Sequence, residues 1–173
     1  MAIDNTGVLL LSLVSQAGGI TGKTRFQKLA YFLQEAEQVP LGLNFRMHHY
    51  GPYAHELETR LQWLRVSDLV DVDDARIDGP VVIDISERGR EVAKGEANQE
   101  ELQRVLENLG KKSPRQLELL GTVHYLAQTT GYDGSEQGRS RLNDAVKVWK
   151  EQRFSRQQID DAIDELIDLG YLS

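Results

Sequence analysis

The chain contains no cysteine. This absence excludes disulfide bonds, thiolate metal ligands and a cysteine nucleophile, and it removes any need for an oxidising compartment. Long hydrophobic runs are also missing, because the longest, residues 8–14 with one Ser inside it, is far too short to span a bilayer. No basic flank of a signal peptide precedes it. The sequence therefore predicts a cytoplasmic protein that does not enter a membrane.

The chain also lacks a surplus of basic side chains. Its 20 Lys and Arg are outnumbered by 27 Asp and Glu, for a net charge of −7, and the acidic excess lies between residues 61 and 110. A protein that grips phosphates by releasing counterions normally presents an excess of Lys and Arg. The balance disfavours generic nucleic-acid binding, although it is compatible with a local basic patch.

Most of the chain is made of amphipathic segments in which apolar residues recur every three to four positions, a spacing typical of helices. We predict helices over residues 5–17, 24–37, 52–66, 86–94, 96–109, 114–129, 139–152 and 155–169. Between them, residues 69–72 and 81–85 are short β-rich runs that predict a hairpin around an acidic loop. Residues 130–138 contain three Gly and predict a loop.

Turn and cap residues set the expected ends of the first helices. Asn5 or Thr6 is expected to cap the first helix, and Thr21 or Thr24 the second. Pro52 suits the first turn of the third, where its missing N–H costs nothing.

These segments predict one mainly α domain over residues 1–173. A winged-helix-like N-terminal half, residues 1–95, bears one small β-hairpin. It packs on a C-terminal helical bundle, residues 96–173, and residues 111–114 are another candidate for the boundary between the halves.

Two adjoining N-terminal segments, 24–36 and 44–64, carry a family resemblance that resumes in residues 117–126 and 148–172. Their distinguishing residues are Gln27, Lys28, Tyr31 and Gln34 on one helix and the tetrad Tyr50, Gly51, Pro52 and Tyr53 before the next. The pattern resembles the YwgA-like domains of prokaryotes. Within them it is similar to the C-terminal, toxin-neutralising domain of DarG-type antitoxins, and more distantly to the Panacea antitoxin domain.

The resemblance implies a non-catalytic, antitoxin-like module without cofactor or metal. Such a module binds and inhibits a partner protein, here a toxin or another defence-associated enzyme that handles nucleic acid. DarG-type antitoxins also carry an ADP-ribose-removing macrodomain, which this sequence does not show. We therefore expect either a free-standing relative with another partner or an excised domain.

Two sets of residues are candidates for the partner-binding surface. Aromatic rings flanked by amides and one Lys suit a recognition face, so the first set is Gln27, Lys28, Tyr31, Gln34 and the tetrad Tyr50 to Tyr53. For Gly51 and Pro52 the alternative is a purely structural turn.

The second set is the acidic stripe Asp160, Asp164 and Asp168 on the last helix. It is either a solvated face or a mimic of nucleic acid that occupies the substrate groove of the partner. The acidic residues of the predicted hairpin are expected to contribute to that mimicry: Asp68, Asp71, Asp73, Asp74 and Asp78.

Two other functions stay open. One is a winged-helix DNA-binding regulator, whose third helix would enter a major groove with Arg60 and Arg65. The other is a nucleotide-binding enzyme, because residues 17–24 (AGGITGKT) fit a loose phosphate-loop pattern. A phosphate loop follows a buried parallel strand, however, whereas residues 7–16 have helical spacing.

Neither a metal site nor a catalytic constellation is expected. His48, His49, His55 and Glu56 are close in sequence but lack the spacings of zinc ligands, and no second cluster completes them. No Ser lies in a Gly-x-Ser-x-Gly elbow, and no triad or carboxylate pair stands out. His124, in the middle of a helix, is interpreted as a satisfied, partly buried histidine.

Overall fold

The computed structural model describes residues 2–75, 77, 79–95 and 97–173, and in these residues the chain is mainly α, as the sequence predicts. The helices are α1 (Asn5–Ala17), α2 (Lys23–Glu35), α3 (His55–Val66), α4 (Glu87–Val92), α5 (Gln99–Leu109), α6 (Pro114–Thr129), α7 (Glu136–Trp149) and α8 (Arg156–Asp168). The strands are β1 (Ile20–Thr21), β2 (Arg46–His48), β3 (Gly51–Tyr53), β4 (Val70–Asp73) and β5 (Val82–Ile85).

The strands form two small antiparallel sheets. In the first, of order β1-β5-β4, Ile83 pairs with both Ile20 and Val72. The β4–β5 hairpin confirms the prediction from sequence, whereas β1 was not predicted. This topology is compatible with a winged helix, and the winged-helix assignment itself stays a prediction. The second sheet is the β2–β3 hairpin, in which His48 pairs with Gly51.

The predicted start of the third helix at Pro52 is wrong. Pro52 lies in β3 opposite Met47, and α3 begins only at His55, after the extended residue Ala54. The physical reason is that backbone groups of residues 52–54 bond to side chains of α2, which hold this segment extended.

The predicted caps of the first two helices are also wrong. The side chain of Asp4 caps α1 by accepting from the Gly7 N–H at 2.8 Å, and Thr6 instead donates to the Leu41 carbonyl. Thr21 is the last residue of β1, and the N-cap position of α2 falls on Gly22, which has no side chain to cap the helix. The partners of Thr6 and Thr21, Leu41 and Val82, are distant in the sequence and could not be predicted from it, whereas the Asp4 cap is a local contact that the prediction missed.

Some boundaries shift by a few residues. Ser135 accepts from the Gly138 N–H, so α7 begins at Glu136, inside the predicted loop 130–138. Helix α5 begins at Gln99, and Glu96, the first residue of the helix predicted there, lies outside the described residues. Helices α6 and α8 start as expected, each behind a serine capping box.

Helix α6 lies at the centre of the molecule. It packs against α2, α7, α8 and β3, and Leu117, Leu120 and Val123 on it are almost fully buried. One hydrophobic core joins it to residues of both predicted halves, and the division at residue 95 stays a prediction. Within the described ranges, every helix is too short or too polar to traverse a bilayer.

Candidate functional site

Two glutamines of α2 clamp the segment that follows it. The Gln27 side-chain amide donates to the Ala54 carbonyl at 3.0 Å and accepts from the Ala54 N–H at 2.9 Å. Two turns later, Gln34 makes the same pair of hydrogen bonds with the backbone of Leu43, each of 2.8 Å. These two predicted recognition residues therefore bind the protein's own backbone and hold residues 43–54 against α2.

Lys28 lies between these glutamines and is 1% exposed. Its ammonium donates to the Pro52 carbonyl at 2.7 Å. The side chain runs beside two glycines, since a Cβ at Gly51 would lie 3.2 Å from Lys28 Cε and one at Gly121 3.4 Å from Lys28 Cδ. Gly51 also has a φ of +92°, which favours glycine. Both glycines therefore leave room for the lysine that holds β3.

A second buried lysine, Lys150, holds the turn of the hairpin. Lys150, at the end of α7, donates to the His49 carbonyl at 2.7 Å and to Glu118 Oε1 at 2.9 Å. Arg153 donates to Glu118 Oε2 at 3.0 Å. Glu118 is 3% exposed, so this carboxylate is a buried counterion shared by two cations.

The charges of this cluster do not balance. Lys28, Lys150 and Arg153 are accompanied by one carboxylate, Glu118. Burial, and to a lesser extent the charge of Lys150, lower the pKa of Lys28 to about 8, although Glu118 opposes both effects. Burial likewise lowers the pKa of Lys150, against the bond with Glu118. The hairpin is therefore held by cations whose burial is unfavourable.

Tyr31 is fully buried, so the expectation that it lines an exposed recognition face is wrong. Its hydroxyl bonds to His124 Nδ1 at 2.7 Å, and its ring packs edge-on against Phe32 and Phe45. Burial lowers the pKa of His124 to about 4, which keeps the imidazole neutral near pH 7. This bond satisfies His124, as predicted, although the ring is buried rather than partly buried.

A cavity of about 240 Å³ opens between α2, α3 and the tip of the hairpin. It brings together five of the predicted residues: Gln27, Lys28, Tyr50, Gly51 and Tyr53. Pro52 and Gln34 are close in sequence but do not line it. The Tyr53 ring lies 4.9 Å from the His48 ring, and its hydroxyl donates to Glu58, which raises the pKa of Tyr53 to about 12.

The tip of the hairpin exposes an aromatic side chain. Tyr50 is 57% exposed and packs edge-on against His49. Trp149, next to Lys150, is 53% exposed, and the neighbouring Val148 is 75% exposed. The Lys150–His49 bond ties the two segments together. Exposed Tyr and Trp residues on tethered segments are typical of interaction surfaces.

The acidic stripe of α8 is not an open row of carboxylates. Arg139 of α7 pairs with Asp160 at 3.3 Å and with Asp164 at 2.8 Å, and Asn143 also donates to Asp160. Asp168 is exposed. The stripe is thus partly neutralised by a helix that precedes it, which the spacing on α8 alone did not reveal.

The predicted acidic hairpin residues lie around β4. Asp68 precedes it, Asp71 and Asp73 are exposed on it, and Asp74 pairs with Arg65 at 3.0 Å. Asp78 lies outside the described residues.

The structure also shows the surroundings of the phosphate-loop pattern and of the basic residues of α3. Helix α1 ends at Ala17, so a helix rather than a buried parallel strand precedes the loop of residues 17–24, and Lys23 pairs with Glu58 at 3.6 Å. Arg60 and Arg65 of α3 pair with Asp4 and Asp74.

Across residues 2–75, 77, 79–95 and 97–173, no three His, Asp or Glu side chains are grouped to hold a metal.

Sequence reasoning missed Glu118, Lys150 and Trp149 as parts of this region. Glu118 carried a signal, because it is a charge inside the apolar run 117–120 of a helix, and such a charge is usually paired when buried. Lys150 and Trp149 lie in the resemblance segment 148–172, but nothing in their sequence context indicated their contacts with this region. Their positions depend on the packing of α7 against α6.

Neither the models of known protein families nor the curated protein sequences give a match to this chain. The YwgA-like resemblance therefore stays an interpretation of the residue pattern.

Removing the shared carboxylate should destabilise the fold strongly. Glu118→Gln leaves Lys150 and Arg153 without their counterion, and breaking a buried pair in this way costs about 3–5 kcal/mol. Urea denaturation at pH 7 measures the loss. Glu151→Gln, at an exposed position, is the matched control and should change stability by less than about 0.5 kcal/mol. Equal effects of the two substitutions would contradict the buried-counterion account.

The burial of Lys28 should appear in the pH dependence of stability. Its pKa is about 8 in the folded chain against a reference of 10.5, so the unfolded state binds the proton more tightly between these values. The penalty for burying the charge is complete below pH 8 and disappears as the pH rises to 10.5. From pH 7 to 10.5, wild type should therefore gain about 3 kcal/mol relative to Lys28→Met.

Urea denaturation across this pH range measures the difference. Lys94→Met, at an exposed position, should instead keep a nearly constant stability difference from wild type. A flat difference for Lys28→Met as well would show that Lys28 titrates normally.

Proposed function

We propose that this chain is a non-catalytic, antitoxin-like interaction module that binds and inhibits a partner protein. The observation that carries the proposal is the convergence of the resemblance-bearing residues on one feature. Gln27 and Lys28 hold the β2–β3 hairpin, whose tip exposes Tyr50 beside a cavity. A surface residue on a braced hairpin loses little conformational entropy when it binds, which favours tight association.

The composition of the exposed surface supports a protein as the partner. Tyr50 and Trp149 are more than half exposed, and Tyr and Trp are the residues most enriched among those that dominate binding energy at protein interfaces. Because Lys150 bonds to the carbonyl of His49, these two anchors are presented by segments that are fixed to each other.

The class of partner follows from the resemblance alone: a cytoplasmic toxin or another defence-associated enzyme that handles nucleic acid. Net acidity of −7 favours association with a basic surface of such an enzyme. Mimicry by the α8 stripe has weaker support, since Arg139 already neutralises Asp160 and Asp164.

The other two functions have less support. A DNA-reading third helix needs free basic side chains, and Arg60 and Arg65 are already paired with carboxylates. A phosphate loop needs a parallel strand before it, and a helix stands there.

Site-specific crosslinking tests the proposed surface. A photoreactive amino acid at position 50 should capture one protein in cells of the native host, and the product should survive nuclease treatment. The same group at position 66 should not capture it, although Val66 on α3 is the more accessible residue, 76% exposed against 57% for Tyr50. Capture of nucleic acid from position 50, or equal capture from both positions, would contradict the proposal.

Binding measurements with the captured partner then test the two anchors. Tyr50→Ala and Trp149→Ala should each raise the Kd by about 30-fold, as expected for residues worth about 2 kcal/mol. Val66→Ala should leave the Kd unchanged. Unchanged affinity in both aromatic variants would remove Tyr50 and Trp149 from the interface.

A further inference from the structure

The cavity beside the hairpin has a floor and a mouth of different character. Phe26 and Leu61 are 2% exposed and Lys28 is 1% exposed, so these lining residues form its buried floor. Tyr50 and Lys23 line it where the chain is accessible to solvent. At about 30 Å³ per water molecule, 240 Å³ has room for about eight waters. The cavity can therefore enclose a small organic molecule.

The floor is lined in part by a buried lysine, Lys28, that has no ion pair among the described residues. Lys28 makes no ion pair with any described residue, because the buried carboxylate Glu118 is engaged by Lys150 and Arg153. Of the three N–H donors of its ammonium, one is donated to Pro52, and no acceptor among the described residues takes the other two. Burying an ammonium that has one hydrogen bond and no ion pair is unfavourable in free energy, and an anion beside it would offset this cost.

Glu58, the carboxylate that lines the cavity, already has two partners. One oxygen of Glu58 accepts from the Tyr53 hydroxyl, and the other pairs with Lys23 at 3.6 Å. Glu58 is also half-exposed, at 42% of its side chain. It is therefore screened by solvent and does not neutralise Lys28.

We propose that this cavity binds a small organic anion, with its oxyanionic group on Lys28 and its aromatic or apolar body against Phe26, Leu61 and Tyr53. Ligand sites commonly combine such an apolar lining with a few polar groups that fix orientation. The proposal does not require the partner protein, although Tyr50 at the mouth of the cavity is also part of the proposed partner surface.

Titration of the isotope-labelled wild-type chain tests the site, with benzoate and phenyl phosphate as the anionic probes and benzamide as the neutral match for benzoate. At low chloride, at least one anion should give saturable NMR shifts at the amides of Thr24, Tyr53 and Leu61. Benzamide should bind at least about tenfold more weakly, since a hydrogen bond to a charged group is worth about 1.5 kcal/mol or more.

Variants check the role of the lysine. Lys28→Met should reduce binding of the anion to that of benzamide, whereas Lys94→Met should leave it unchanged. If Lys28→Met does not fold, the comparison of anion and amide on wild type decides the question. The proposal is overturned if neither anion gives saturable shifts, if benzamide binds as tightly as the tighter-binding anion, or if the shifts cluster elsewhere.

Discussion

Two buried ammonium groups that bond to backbone carbonyls determine how this molecule presents its surface. Lys28 bonds to Pro52 in β3, and Lys150 bonds to His49 in the turn of the β2–β3 hairpin. Two strands of three residues each are too short to be stable alone. The hairpin therefore depends on these lysines and on Gln27, and its position follows from theirs.

The same interactions explain why the central helix is partly polar. Glu118 on α6 is the counterion for Lys150 and Arg153, while Gly121 on the same helix leaves room for the stem of Lys28. An apolar helix at these positions would satisfy the core but would leave the cations unpaired. The polar groups of α6 thus couple α2, α7 and the hairpin into one arrangement, with Tyr50 and Trp149 at its surface.

Most of the helices and the β4–β5 hairpin could be predicted from the sequence, whereas the β2–β3 hairpin could not. Regular apolar spacing located α6 and α8 to within a residue. The β2–β3 hairpin was missed because strands of three residues give no clear alternation. Pro52 is also equally suited to the first turn of a helix.

The candidate site could be predicted only in part. The pattern singled out Gln27 and Lys28 as parts of an exposed face, whereas both side chains are buried. Their roles are set by partners such as Pro52, together with the packing of Gly121, which lies 93 positions from Lys28 in the sequence. A polar residue on an amphipathic helix looks the same in sequence whether its partner is water or distant backbone. For the same reason the neutralisation of α8 by Arg139 was not visible.

The most direct test is the backbone mobility of the hairpin tip with and without its second clamp. Relaxation of ¹⁵N nuclei in residues 48–51 should give order parameters near 0.85 in wild type and in Lys147→Met, as for rigid backbone. In Lys150→Met they should fall below about 0.6 while α2 and α6 stay rigid. A hairpin that stays equally rigid in Lys150→Met would contradict the claim that buried lysines hold the recognition surface in place.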